Sequence, residues 1–206
     1  MQENETDELN EKEPEKEDKK LTIGSVLLSF FDFLKTIIII VILAALIRQF
    51  LIQPFIVDGQ SMEPNFQNND YLITDKISYR LHAPQRGEAI IFHPPDNPSV
   101  NYLKRITGVP GDTIEVKNGE VFVNSKKIVE PYVSSGEKTK TPSNDEIKVT
   151  LKSDEYFVLG DNRDHSRDSR EIGPIPKENI VSRIWLRLFP LNAIGAPAAQ
   201  HYQTIN

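Results

Sequence analysis

Cysteine occurs nowhere in the 206 residues. Disulfides, thiol catalysis and thiolate zinc sites are thereby excluded. The four histidines (His82, His93, His165, His201) stand far apart, without the close spacing of a metal-binding helix, so no metal site is expected. A basic surplus is missing too: 24 Lys and Arg face 30 Asp and Glu, a net charge of −6. Nucleic acid is therefore not an expected partner, because nothing would neutralise a run of phosphates. Most of the negative charge is local. The first twenty residues hold nine acidic side chains and four lysines, a charge of −5. With almost nothing apolar to bury, residues 1–20 read as a disordered acidic tail.

What the chain does have is one long apolar run. Residues 36–47, TIIIIVILAALI, are uncharged and as a helix would cover about 18 Å of a hydrocarbon core of roughly 30 Å. LLSFFDFL at 27–34 and Phe50, Leu51 and Ile52 extend the apolar character on both sides. Asp32, Lys35 and Arg48 fall near the ends, where long cations snorkel. One transmembrane helix at about 29–49 follows. A cleavable leader would need small residues after the run, whereas LIRQFLIQ follows it. An amphipathic surface helix would need a polar face, and four consecutive isoleucines leave none. Lys16, Lys19, Lys20 and Lys35 precede or open the span, while Arg48 stands alone until Lys76. That asymmetry predicts a cytoplasmic N-terminus and an extracytoplasmic remainder.

From residue 53 the pattern turns to β. Short β-rich runs (QPFIVDG, DYLITDKIS, EAIIFHPP, NYLKRITGV, DTIEV, EVFVN, KKIVE, IKVTL, EYFVLG, VSRIWLRLF) alternate with Pro and Gly clusters. KNGEVF carries an Asn-Gly hairpin signal. A mainly β domain is expected over 53–192, a folded antiparallel sheet or barrel-like body, followed by a tail at 193–206. Residues 133–147, VSSGEKTKTPSNDEI, read as a mobile loop.

The candidate chemistry starts at DGQSMEPN, 58–65, a polar turn after an apolar strand. Ser61 is either the cap of an ordinary turn or a nucleophile, and a serine hydroxyl attacks only with a base beside it. Among the histidines, His93 lies in FHPPD and His165 in DNRDHSRDS; neither stretch specifies a Ser-His-Asp triad. Lysine is the other candidate base. At pH 7 only about one exposed lysine in 2,500 is neutral, and lowering its pKa to around 8 costs roughly 3 kcal/mol of desolvation. In NYLKRITGV, strand alternation puts Tyr102, Lys104 and Ile106 on one face, with Leu103, Arg105 and Thr107 on the other. Lys104 is thus a candidate buried amine. A surface lysine that snorkels fits the same local pattern.

SMEP at 61–64, RGEAIIFHPP at 86–95, NYLKRITGVPGD at 101–112 and GDNRDHSRDSR at 160–170 occur in order after a single apolar anchor. Together they closely resemble the bacterial type I signal peptidases, membrane-anchored Ser-Lys endopeptidases, from the anchor to about residue 189. The resemblance implies removal of signal peptides from exported preproteins after small-x-small, Ala-x-Ala-like sites, through an acyl-enzyme. No cofactor is implied, and the implied partners are those signal peptides and the lipid bilayer. The implied location is the plasma membrane, crossed once. Ser61 would be the nucleophile and Lys104 the general base. Ser166 matches the serine that orients the lysine amine. Asp161, Arg163, Asp168 and Arg170 match a charged network supporting the site; without the resemblance that run reads as a solvated turn.

Some family members place a serine two residues before the nucleophile, where this chain has Gly59. The oxyanion hole is then expected to use the Ser61 backbone N–H and a second donor not assigned to a side chain. Gly59 itself suits a turn of positive φ. Substrate would add as a strand between 55–60 and 101–104, with Val57, Tyr102 and Leu103 walling pockets for small side chains. Met62 would pack at a membrane-facing rim or in the core, and Trp185 and Phe189 would touch lipid or fill a core strand. Ala196-Pro197-Ala198 followed by Ala199 also fits a small-x-small pattern, which raises the possibility that the tail enters a substrate cleft. Two rival classes remain: a self-cleaving Ser-Lys regulator, which would need a DNA-binding domain, and a non-catalytic anchored β domain.

Overall fold

The computed structural model describes residues 23–50, 52–143, 145–197 and 203–204. The acidic tail at 1–20 and Ala198 and Ala199 lie outside the described residues.

One unit is a helix. α1 spans Ile23–Phe50, and within it Leu27–Ile47 form a 21-residue segment of mean hydropathy 2.6. At ~1.5 Å per residue that segment is as long as a bilayer core is thick. Its side chains are exposed all round, as a run of Ile and Leu with no polar stripe requires of a helix meant for lipid rather than for a protein core. Thr36 Oγ1 donates to the main-chain oxygen of Asp32 one turn back (2.9 Å), which satisfies its hydroxyl within the helix.

The second unit is mainly β, and each of the β-rich runs read from the sequence contains a strand. β1 (Ile52–Ile56), β2 (Tyr71–Asp75), β3 (Ala89–Phe92) and β4 (Tyr102–Gly108) precede a second group. That group is β5 (Thr113–Lys117), β6 (Glu120–Val123), β7 (Lys126–Val129) and β8 (Ile147–Thr150). β9 (Glu155–Leu159), the short β10 (Ile175–Pro176), the long β11 (Ile180–Phe189) and the two-residue β12 (Gln203–Thr204) complete the set. A seven-stranded sheet runs β1-β2-β11-β3-β4-β9-β10, and a five-stranded sheet runs β12-β7-β6-β5-β8. Every pairing is antiparallel. The expectation of one folded sheet is thus refined to two sheets, because the chain leaves the first at Gly108 and builds a separate meander.

The exit turn explains its own sequence. A Cβ on Gly108 would lie 2.6 Å from Ile114 Cδ1 and 2.9 Å from Leu151 Cδ1, so a side chain here would force those core side chains to shift. Asp112 closes the turn, accepting from the backbone N–H of Val109 at 2.9 Å and from Arg86 Nε at 2.9 Å. The Asn-Gly hairpin forms as expected, with Asn118 at φ 56° and Gly119 at φ 80° joining β5 to β6.

Three apolar clusters hold this unit. Ile114, Val116, Val121, Val123 and Ile128 of the second sheet pack on Phe157 and Leu159 of β9. A second cluster gathers Val57, Met62, Phe66, Leu72, Ala89, Ile91 and Leu103 beneath the Ser61 turn. A third joins Ile90, Phe92, Ile106, Tyr156, Val158 and Ile175. β3 and β4 contribute to both of these last clusters, so both faces of the central strands are covered and alternation no longer separates wet from dry. Met62 is a core residue, which decides between the two placements expected for it; a flexible thioether fills the space under the turn. Trp185 and Phe189, by contrast, are about half exposed on β11.

Among the described residues of the loop at 133–147 no strand precedes Ile147, yet the loop is tied down. Thr139 is buried, its N–H donates to Gly119 O at 2.9 Å, and Glu137 accepts from the backbone of Arg163 and Asp164. Composition suggested a mobile segment because its anchors are distant in sequence.

Candidate active site

Ser61 sits on a loop whose ends are clipped together. Val57 N–H donates to Asp70 O (3.0 Å) and Asn69 N–H to Val57 O (2.9 Å), closing 57–70 into a compact turn at the end of β1. Within it Phe66 N–H reaches Met62 O (2.9 Å), while Met62 and Phe66 plug the loop into the core beneath. Gly59 adopts φ +101°, a conformation strained for any residue with a Cβ. Its N–H donates to Asn68 Oδ1 at 2.9 Å, so that amide is engaged in holding the turn.

β4 brings the lysine. Lys104 Nζ donates to Ser61 Oγ at 2.7 Å and to Leu103 O at 2.9 Å. The residue is 4% exposed, which rules out the snorkelling alternative. The Tyr102 ring lies 5.2 Å from Nζ, on the shared face that strand alternation placed it. Burial pulls the amine down from 10.5 to about 8, against Asp168 and Asp161, which favour the charged form, and with Arg170, which disfavours it. At that value about a tenth of the amine is neutral at pH 7. The histidines are engaged elsewhere: His93 Nδ1 with Val100 O at 3.0 Å, and His165 Nδ1 with Asn162 Oδ1 at 3.1 Å.

Within 160–170 the Asp161, Arg163, Asp168 and Arg170 side chains form a buried charged network, while Asp164, His165 and Arg167 face solvent. Asp161, fully buried, accepts from Arg105 Nε (2.8 Å) and Nη2 (2.6 Å), a bidentate pair. Asp168 accepts from Gly160 N (3.0 Å) and Arg170 Nε (2.8 Å). Arg163 Nη2 donates to Glu130 (2.6 Å) and its Nε to Gly160 O (2.9 Å). The network touches the nucleophile through backbone, because Asn162 N–H donates to Ser61 O at 3.1 Å. Gly160 is tightly enclosed: an added Cβ would fall 2.5 Å from Ser61 O and 2.2 Å from Ser166 Oγ.

Ser166 departs from the hydrogen bond expected of it. Its hydroxyl is buried without a hydrogen-bond partner among the described residues, and the bonds of the Lys104 amine go to Ser61 and Leu103 instead. Val57 and Leu103 are buried in the cluster under the turn, while Tyr102 is half-buried. β9 pairs with β4 only from Arg105 onward, so Tyr102, Leu103 and Lys104 have β3 on one side and no strand on the other. Ala196 and Pro197 line a different cavity with Phe66, Glu88, Ala89 and Arg105, so this part of the tail does not occupy the space between Ser61 and Lys104.

Sequence reasoning missed Arg105, Asn65, Glu130 and Thr139. Arg105 was placed on the far face of β4, correctly, but its partner Asp161 lies 56 residues on. Only the buried, two-sided environment of β4 makes an arginine there demand a carboxylate. Among the described residues no group of three or more His, Asp or Glu stands close enough to hold a metal ion.

The family model for signal peptidase, peptidase S26, matches residues 30–189. A probable signal peptidase I-2 of Synechocystis is 40% identical over 166 residues, covering 78% of this chain and 74% of its own. A signal peptidase I of Leptolyngbya laminosa is 38% identical, covering 79% and 81%, and one of Bacillus amyloliquefaciens is 36% identical, covering 88% and 96%. The match runs from within the apolar helix to the end of β11, taking in the Ser61 turn, β4 and the buried 160–170 network, and the chain belongs to the S26 family of signal peptidases.

Proposed function

We propose that this chain removes signal peptides from exported preproteins with Ser61 as nucleophile and Lys104 as general base. The observation that carries the assignment is the buried Lys104 amine 2.7 Å from Ser61 Oγ. In its neutral form Nζ takes the hydroxyl proton as Oγ attacks the scissile carbonyl carbon. The negative charge that develops on the carbonyl oxygen meets the Ser61 N–H. Collapse breaks the C–N bond, the leaving amine takes the proton back from the ammonium, and an ester to Ser61 remains. Water then gives its proton to Lys104 and attacks the ester, releasing a new carboxylate and restoring the serine. Ser166 serves as a second acceptor for the amine while Ser61 is acylated; its buried, unpartnered hydroxyl supports that role.

The open side of Tyr102–Lys104 supports binding of the substrate as an added strand. Shallow pockets at Val57 and Leu103, both packed into the cluster beneath the turn, would give small-x-small selectivity by excluding larger side chains. The 21-residue apolar segment of α1 anchors the enzyme in the membrane, with the N-terminus cytoplasmic and the β unit outside. Half-exposed Trp185 and Phe189 then meet lipid. A substrate tethered in the same bilayer arrives at high effective concentration.

Cleavage of a preprotein in detergent micelles by wild type, Ser61→Ala and Lys104→Ala tests the reading. Both variants are expected to lose at least about a thousandfold in rate, in line with removal of one member of a nucleophile-base pair. Retention of full activity by either removes that residue from the mechanism.

A further inference from the structure

One side chain of the nucleophile turn has no part in the reaction as written. Asn65 lies four residues after Ser61, and its carboxamide spends both Nδ2 hydrogens. One goes to Tyr132 O at 2.6 Å and the other to Asp161 Oδ2 at 3.0 Å. Both acceptors belong to buried residues. The Asn65 main-chain oxygen is in turn held by the Arg187 guanidinium from β11. Among side chains of this length only a carboxamide donates twice from one atom.

These contacts lie on the same segment that touches Ser61. Asp161 binds Asn65, and its neighbour Asn162 donates its N–H to Ser61 O at 3.1 Å. The stretch 61–65 is therefore gripped at its first residue by Asn162 and at its last by Asp161. Asp161 is itself fixed by the bidentate bond from Arg105, which follows Lys104 on β4. A closed chain of contacts thus joins nucleophile, turn, network and lysine strand. The Tyr132 ring completes it, lying 4.5 Å from the Arg105 guanidinium that Asp161 binds.

We infer that Asn65 is a positioning residue: through Asp161 and Tyr132 it sets the nucleophile turn against β4 and so holds Ser61 Oγ on Lys104 Nζ. The inference rests on Ser61 being the nucleophile. A displacement of about 1 Å at a reacting atom costs on the order of a hundredfold in rate, and loss of the two Asn65 side-chain bonds loosens the turn without removing it, because the Asn162, Arg187 and Val57 contacts remain.

The test uses the full chain in detergent micelles, with Asn65→Leu, which keeps the size and loses both donors, and Asn65→Asp, which sets a second carboxylate against Asp161. Rates are taken per folded molecule, the folded fraction read from Trp185 fluorescence. The expected result is a fall in kcat of about ten- to a hundredfold with KM within about twofold of wild type, larger for Asn65→Asp. A kcat within twofold of wild type in both variants overturns the inference, as does a rise in KM with kcat retained. A loss that vanishes once the unfolded fraction is subtracted makes Asn65 purely structural and overturns it equally. Ser61→Ala is measured alongside. If it keeps activity, the nucleophile assignment has failed; if it is inactive while the Asn65 variants match wild type, only the positioning role has.

Discussion

Replacing Lys104 by methionine should make the protein inactive and more stable at neutral pH. The lysine is held at about 8 in the folded chain and returns to about 10.5 when exposed. Between those values the unfolded chain binds more protons, so stability rises as pH climbs from 8 to 10.5 and is depressed below that window. A shift of 2.5 units, at ~1.36 kcal/mol each, is about 3.4 kcal/mol that the native state forgoes at pH 7 by carrying the buried charge. Methionine matches the apolar stem and carries no charge, but gives up the bonds to Ser61 and Leu103, worth about 1 kcal/mol each. The variant should therefore be more stable by about 1 kcal/mol at pH 7, a rise of about 2–4 degrees in Tm for a domain of this size. The advantage should vanish before pH 10.5 and then reverse, because wild type regains the forgone stability while the variant still lacks the two bonds. Urea unfolding of the full chain in detergent at pH 7, 8.5 and 10 measures the difference directly. A variant less stable than wild type at pH 7, or a difference constant across the pH series, would refute the picture of a lysine paid for in stability.

Two other substitutions probe the surroundings. Gly160→Ala places a Cβ 2.5 Å from Ser61 O and 2.2 Å from Ser166 Oγ; preprotein cleavage should fall by about a hundredfold or more as the nucleophile's backbone is displaced, and unchanged turnover would show the segment yields freely. Asp161→Leu leaves the buried Arg105 charge uncompensated and should cost about 3–5 kcal/mol, whereas the double variant Asp161→Leu, Arg105→Met should recover most of it. Urea midpoints of the two variants decide this, and equal destabilisation would mean the pair is not coupled.

Much of the site was legible in the sequence because its parts are local. Alternation along β4 put Lys104 beside Tyr102, Asn118-Gly119 announced its hairpin, and the isoleucine run marked α1, which extends from Ile23 to Phe50 beyond the expected 29–49. What stayed hidden depends on distance or on burial. Alternation separates buried from exposed faces only when one face meets water, and β4 is covered on both; hence Arg105 and Thr107 are buried as well as Lys104 and Ile106. The partners of Arg163 are Glu130, at the end of the β-rich run KKIVE, and Thr139, in a stretch whose polar composition reads as loop; both are more than twenty residues away. The weight given to 160–170 came from family resemblance, since alternating Asp and Arg on their own read as a surface turn. That the Ser166 hydroxyl is buried without a partner is a feature that no spacing encodes.

The central claim is that a lysine amine, lowered to about 8 by burial, accepts the proton of Ser61. The pH dependence of kcat/KM for preprotein cleavage tests it most directly, because its acid limb reports the base in the free enzyme. The account predicts a midpoint near 8 and a rise of about tenfold from pH 7 to pH 9, as the neutral fraction of the amine goes from about a tenth to about nine-tenths. An acid limb centred near 6.5, the ordinary range of histidine, or no limb between pH 7 and 9, would contradict it.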